Sequence, residues 1–154
     1  MDLKSYFMTS TMIISFPTSV KVFSWLFSLF LNVNRSSVSL YCFSLFIFFF
    51  SLGGVSGLML SNSLLDVFLH DTYFVVGHFH FVLASASILG FLSGMFLLFD
   101  SLFVGVNKEM INKVVVLFSS SFSFFLMVLF VPFHVLGLVG MPRRVMVYPF
   151  VNFL

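Results

Sequence analysis

Charge is what this sequence has least of. Only 8% of its 154 residues are Asp, Glu, Lys or Arg, the net charge is +2, and no basic run occurs. That excludes a water-soluble domain and leaves nucleic acid without an electrostatic footing, so no nucleic-acid partner is expected. Cysteine is almost missing too. Cys42 stands alone, which rules out an internal disulfide framework and any multi-thiolate metal site, and it reads as a small apolar core residue. A cleavable signal sequence is also absent, because the first apolar stretch is too long for one.

Apolar residues fill the space, at 60% of the chain with a mean hydropathy of +1.18. A helix needs about 20 apolar residues to cross the hydrocarbon core of a bilayer. Four such stretches fit, at about 4–32, 37–60, 72–99 and 111–136, followed by a C-terminal loop over 137–154. The sequence therefore predicts an all-α integral membrane protein with four transmembrane helices in a single membrane domain, 1–154. The 26 phenylalanines are apolar background, since one apolar side chain replaces another on a lipid-facing surface at little cost.

In the first stretch Pro17 removes a backbone donor and kinks the helix, which membrane helices tolerate when neighbours satisfy the freed groups. Thr11, Ser15 and Thr18 share nearly one face, with Lys21 one turn on. Interhelical hydrogen bonding accounts for the hydroxyls equally well. Lys21 is harder to dismiss, because a lysine midway along an apolar span must reach water, a carboxylate or a polar cavity. Residues 32–37 form a polar turn with Arg35. The second stretch offers little chemistry, and its Gly53, Gly54 and Gly57 permit close helix approach. An acidic connection follows over 61–71, holding Asp66, His70 and Asp71. The imidazole and carboxylates there suit a hard divalent cation, although a solvated loop explains each charge as well.

Three of the four histidines lie within eleven residues, at His70, His78 and His80. On a helix, residues two apart differ by about 200° and only about 3 Å along the axis. His78 and His80 therefore point to opposite faces. They cannot chelate one metal, but they can hold two planar cofactors, one on each side. A lone membrane histidine is commonly a hydrogen-bonded packing residue; a pair at this spacing, with His70-Asp71 two turns before, is poorly explained by packing.

The run Leu69-His70-Asp71-Thr72-Tyr73-Phe74-Val75-Val76-Gly77-His78-Phe79-His80-Phe81 closely resembles the haem-binding helix of subunit I in the haem–copper cytochrome c oxidase family. Phe16-Pro17-Thr18-Ser19-Val20-Lys21-Val22-Phe23-Ser24-Trp25-Leu26, Leu65-Asp66-Val67-Phe68-Leu69-His70-Asp71-Thr72-Tyr73 and Gly137-Leu138-Val139-Gly140-Met141-Pro142-Arg143-Arg144 resemble that family too, in its order. The likeness runs from about Ser5 to Pro149. It implies part of a twelve-helix bundle in the mitochondrial inner membrane, reducing oxygen to water with proton pumping and with cytochrome c as electron donor. It implies His78 as ligand of the high-spin haem a3 and His80 as ligand of the low-spin haem a. Thr18 and Lys21 fall in the proton-delivery route, and Asp66 beside the haem propionates. Tyr73, Arg143 and Arg144 then meet propionates, with a membrane-surface role open for each. His70 and Asp71 correspond to a magnesium or manganese site shared with subunit II. Gly77 stands where a small residue lets a ring approach. His134 is not an axial ligand in the family and is kept as a packing or hydrogen-bonding residue.

Two features depart from the pattern. The connection over 100–113, with Lys108, Glu109 and Lys113, is slightly short, and Val145-Met146-Val147 lacks the polar and acidic residues usual there, which bears on any proton relay. Neither the histidines that hold the copper (CuB) nor the second axial ligand of the low-spin haem is available. The expectation is therefore a fragment of a divided subunit I, starting at Met1, that assembles with other fragments and with subunits II and III. Basic residues Arg35, Lys108 and Lys113 put the first and third connections in the matrix, and the His70-Asp71 end faces the intermembrane space. A quinol-oxidising relative is the nearest alternative, separable by electron donor and co-purifying subunits. A di-haem membrane anchor is a more distant one, and it leaves Lys21 and the arginine pair without a role.

Overall fold

The computed structural model describes residues 2–31, 38–103 and 109–148, which excludes the turn with Arg35, Lys108, and everything after Tyr148. Six α-helices and one π-helical segment account for nearly all of it. They are α1 (Asp2–Leu31), α2 (Val38–Ser61), α3 (Ser63–Leu69), α4 (Tyr73–Phe79), the π segment (His80–Ala86), α5 (Ser87–Leu102) and α6 (Glu109–Leu138). Among the described residues there is no strand, only an isolated antiparallel bridge between Thr72 and Pro142.

Four helical stretches are long and apolar enough to cross a membrane: Leu3–Leu31, Val38–Ser61, Tyr73–Leu102 and Glu109–Leu138. They match the four expected spans, with two adjustments. The third runs three residues further and the fourth gains a turn's fraction at each end, so Asp100 and Glu109 are helical rather than in a loop; Lys113 pairs with Glu109 at 2.6 Å. Apolar content, not local propensity, sets these lengths. The acidic connection is likewise more ordered than a loop. Asn62 caps α3 by accepting from the Leu64 amide at 3.1 Å, so the chain turns once more before it reverses.

Packing centres on α2, which touches α1, α3, α4, α5, α6 and the π segment. Serine exchange fixes one end of the α2–α5 contact: Ser39 Oγ donates to the Ser93 carbonyl at 2.9 Å and Ser93 Oγ donates back to Ser39 at 3.0 Å. At the other end of α2, Gly53 meets Val82. The two runs are therefore antiparallel. The α4 run is antiparallel to α6 as well, with Phe74 against Gly137 and Phe81 against Phe130. Phe49, Phe81, Leu89 and Phe130 form the buried core between them. Because lipid tails are as apolar as these side chains, dispersion and shape hold this core, not expulsion of water. By contrast α1 is almost wholly exposed and rests mainly on α2. The start of α1, the end of α2, α3, the 70–72 turn and the end of α6 share one end of the bundle, where Ser63 Oγ lies 3.6 Å from Met8 Sδ.

Candidate functional site

Everything at the site depends on how α4 begins and how it ends. Thr72 caps α4: its hydroxyl donates to the Leu69 carbonyl at 2.7 Å and accepts from the Phe74 amide at 3.3 Å. Asp71 before it takes a left-handed backbone, φ 54°, which completes the reversal from α3. At the far end the helix widens at His80 into the π segment. Ser85 Oγ donates to the Phe81 carbonyl at 2.7 Å, and the His80 carbonyl, five residues back, also comes within 3.1 Å of it. π segments interrupt α-helices frequently at functional sites. The alternation of Phe, His, Val, Ala and Ser gave no sequence signal for it.

His78 and His80 leave the helix toward different neighbours. The His78 Nδ1 lies 2.9 Å from the Gly53 carbonyl and 3.0 Å from Ser56 Oγ, both on α2. A carbonyl only accepts, so Nδ1 carries the proton and Nε2 keeps its lone pair. Room for the ring comes from Gly57, where a Cβ would come 2.9 Å from His78 Cε1. The His80 Nδ1 faces the Val76 carbonyl at 2.8 Å, which again leaves Nε2 as the bare nitrogen. Its ring stacks on Phe130 of α6, with centroids 4.5 Å apart and planes at 21°, and touches Phe79 at 4.3 Å. Two imidazoles with Nδ1 anchored and Nε2 free suit axial ligation of iron. This donor chemistry fits haem groups.

His134 uses Nδ1 in the same way, toward the Phe130 carbonyl at 2.9 Å, and stacks on Phe81 at 5.1 Å. Its ring lies where a Cβ on Gly77 would sit, 2.6 Å from two of its atoms. The ring that Gly77 admits is therefore that of His134, which packs and hydrogen-bonds as expected.

A cleft of about 410 Å³ between α1 and α2 reaches His78, lined among others by Thr11, Ser15, Thr18 and Gly57. Thr18 thus faces the same space as His78. Lys21 does not: it is exposed on α1 with no ion pair among the described residues. The Thr11 and Thr18 hydroxyls are spent on their own helix, Thr11 to Phe7 (2.8 Å) and Thr18 to Ile14 (3.3 Å). A second cleft opens at the end of the bundle, between Lys4, Asp66 and His78.

The acidic end is arranged around His70 and Asp71. His70 Nε2 is 3.3 Å from Asp71 Oδ2, and its Nδ1 is 3.8 Å from Asp66 Oδ2. The other Asp71 oxygen, Oδ1, is held by Arg143 through Nε at 3.0 Å and a terminal nitrogen at 2.9 Å. That hydrogen bond holds the Asp71 carboxyl below its ordinary range, with the charges of His70, Arg143 and Arg144 adding to it. No trio of His, Cys, Asp or Glu converges on a cation among the described residues. His70 and Asp71 offer two donors, and a divalent ion needs the rest of its shell from elsewhere. Arg143 thus has a protein carboxylate as partner. Arg144 is exposed and has no ion pair among the described residues. Tyr73 directs its hydroxyl at that of Tyr148, 3.0 Å away.

Three contributors went unread in the sequence: Ser56, Phe130 and Tyr148. Ser56 had a usable signal, because it shares a small-residue stripe with Gly53 and Gly57 at helical spacing.

The whole chain, residues 1–154, matches the family model described as cytochrome C and quinol oxidase polypeptide I. Among curated proteins it is similar to cytochrome c oxidase subunit 1 of Candida albicans, 40% identical over 149 residues, covering 96% of this chain and 27% of that protein. It is likewise similar to that subunit of Mytilus edulis (40% over 155 residues, 96% and 26%) and of Plasmodium falciparum (39% over 150 residues, 96% and 31%). The chain spans about a quarter to a third of the length of these relatives. With its full length matched and four helices able to cross a bilayer, this chain belongs to the cytochrome c and quinol oxidase polypeptide I family.

Proposed function

We propose that this chain is a part of the catalytic subunit of a mitochondrial inner-membrane cytochrome c oxidase. In it, His78 ligates the high-spin haem a3 and His80 the low-spin haem a. The observation that carries this reading is the paired histidines, each with Nδ1 bound to a backbone carbonyl and Nε2 free, turned toward α2 and α6 respectively. When bound, the haems supply one-electron transfer and the binding of oxygen. This chain's residues do the rest of what is assigned here. The Gly53 carbonyl raises the basicity of His78 Nε2 and fixes its ring, with Ser56 as second partner. Phe130 and Phe79 fix the plane of His80. Arg144, and Arg143 through its remaining donors, meet the propionate carboxylates, with the Tyr73 ring beside them and its hydroxyl turned to Tyr148.

Thr18 and Lys21 deliver protons toward His78's cavity. Lys21 is exposed on a span that lies in lipid, so its ammonium needs polar partners from outside this chain. Asp66 stands beside the propionates, on the side where pumped protons leave. His70 and Asp71 contribute two donors to a magnesium or manganese site that subunit II completes. The copper ligands of the oxygen-reducing centre, the second axial ligand of haem a and the remaining helices lie outside these 154 residues, with subunit III in the same assembly. The relatives' names, all cytochrome c oxidase subunit 1, favour cytochrome c over quinol as electron donor.

The test is to purify the assembly through this chain, record its reduced-minus-oxidised spectrum and identify co-purifying chains by mass spectrometry. His80→Ala should abolish the low-spin haem band. Lys21→Met should slow oxygen reduction severalfold and leave that band intact. A wild-type assembly without haem absorbance overturns the proposal.

A further inference from the structure

After α6 the chain turns at Gly140 (φ 90°), with the Met141 amide donating to Leu136 at 3.0 Å, and folds back over the start of α4. Two backbone bonds make the bridge there: the Tyr73 amide donates to Met141 at 3.2 Å, and the Arg143 amide to Asp71 at 2.8 Å. The Arg143 side chain adds its grip on Asp71 Oδ1. All of these fasten the loop before Arg144.

Arg144 itself has φ 64°, a left-handed conformation that a side chain with a Cβ adopts only when its surroundings enforce it. Enforcement needs an anchor on both sides. The next three residues cannot provide it: Val145, Met146 and Val147 are apolar and exposed, Met146 completely. The anchor after them is Tyr148. Its hydroxyl donates to the Pro142 carbonyl at 3.0 Å. A phenol has one proton, so the 3.0 Å contact between the hydroxyls must run from Tyr73 to Tyr148. The result is a directed chain, Tyr73 to Tyr148 to Pro142, that closes residues 142–148 into a ring fastened to the first residue of α4. It also uses the only proton of Tyr73, leaving that phenol no donor for a carboxylate.

We propose that Tyr148 is a positioning residue that acts through Arg144: by closing this ring it fixes the guanidinium that forms no ion pair among the described residues over the end of the bundle that holds α4. This rests on the function proposed above where it names haem carboxylates as what Arg144 meets. The anchor itself does not depend on it.

The test uses the complete assembly purified through this chain, carrying Tyr148→Phe, Tyr73→Phe or both. Tyr148→Phe keeps the ring and removes the hydroxyl. Hydrogen exchange at the amides of Arg143 and Tyr73 should quicken roughly fivefold, the factor that one ordinary hydrogen bond is worth. Tyr73→Phe should have a smaller effect, and the double variant should match Tyr148→Phe alone, because all three act on one chain of bonds. As the guanidinium loses its fixed place, the low-spin haem midpoint potential should move negative, since a nearby positive charge favours the reduced form. Unchanged exchange, or additive effects, overturns the anchor. Faster exchange with an unmoved potential overturns the positioning role. An assembly with no haem overturns the function proposed above, while the exchange rates still decide the anchor.

Discussion

The two flanks of the histidine helix hold their rings by different means. On the α2 flank the grip is polar and directional: one carbonyl, one hydroxyl, and a glycine that leaves space for His78. On the α6 flank it is aromatic, with His80 and His134 stacked among Phe130, Phe79 and Phe81. A hydrogen bond sets the direction of a nitrogen and the basicity of its partner across the ring. A stack sets only the ring plane, and the Nδ1 bonds of His80 and His134 stay within their own helical runs, to Val76 and Phe130, rather than crossing between helices. The α2 flank should therefore fail sharply when altered, and the α6 flank gradually.

The largest effect should come from Gly57→Leu in the assembled protein. Its Cβ would enter the volume of His78, so carbon monoxide binding to the high-spin haem should fall more than tenfold while the low-spin band persists. Equal loss of both bands would show that the flanks are not separable. Next is Phe130→Ala, which opens a cavity in the buried core and should cost of order 3 kcal/mol, read as a lower thermal midpoint. The low-spin band should shift and broaden, but remain. Ser56→Ala removes one of two partners of His78 Nδ1 and should cost about 1 kcal/mol. The iron–imidazole stretching band should shift slightly, because the Gly53 carbonyl stays in place. No shift would leave Gly53 as the sole directional contact.

The smallest effect concerns neither flank but the turn that precedes both. Asp71 titrates below its ordinary range because Arg143 holds its charged form. Its contribution to the loop contact is thus fully present above the unfolded value, about 3.9, and is lost as pH falls through the lower folded value. Exchange at the Arg143 amide should show no added loop opening between pH 7 and 5, once corrected for the intrinsic rate, and opening should begin only below about pH 4. Opening that begins well above pH 4 would show that the Asp71 carboxylate is not what holds the loop.

Span number and rough limits were legible because hydrocarbon thickness imposes length on apolar helices, whatever their packing. The opposed directions of His78 and His80 were legible for a similar reason, since helical rotation alone separates neighbours two apart. What could not be read depends on contacts between distant segments. Tyr148 meets Tyr73 across 75 positions and no local pattern encodes it; the stripe with Gly53 and Gly57 puts Ser56 on a contact face of α2, but not against His78, 22 positions on. The pairing of Arg143 with Asp71 was out of reach for the same reason, although the carboxylate-binding chemistry of Arg143 was plain. Lys21 shows the opposite case: its oddity is visible in the sequence, and among the described residues it forms no ion pair.

The wide turn that opens at His80 gives the helix one residue of slack. An uninterrupted rod would have to match its neighbours with a single angular phase from Tyr73 to Leu102. With the spare residue, the half that presents imidazoles and the half that lays Leu89 and Ser93 on α2 are indexed separately, like two gears on a slipping shaft. Removing one residue between Leu83 and Ala86 should take up that slack as a regular α turn, with Leu89 and Ser93 still on α2 and both histidines where they are.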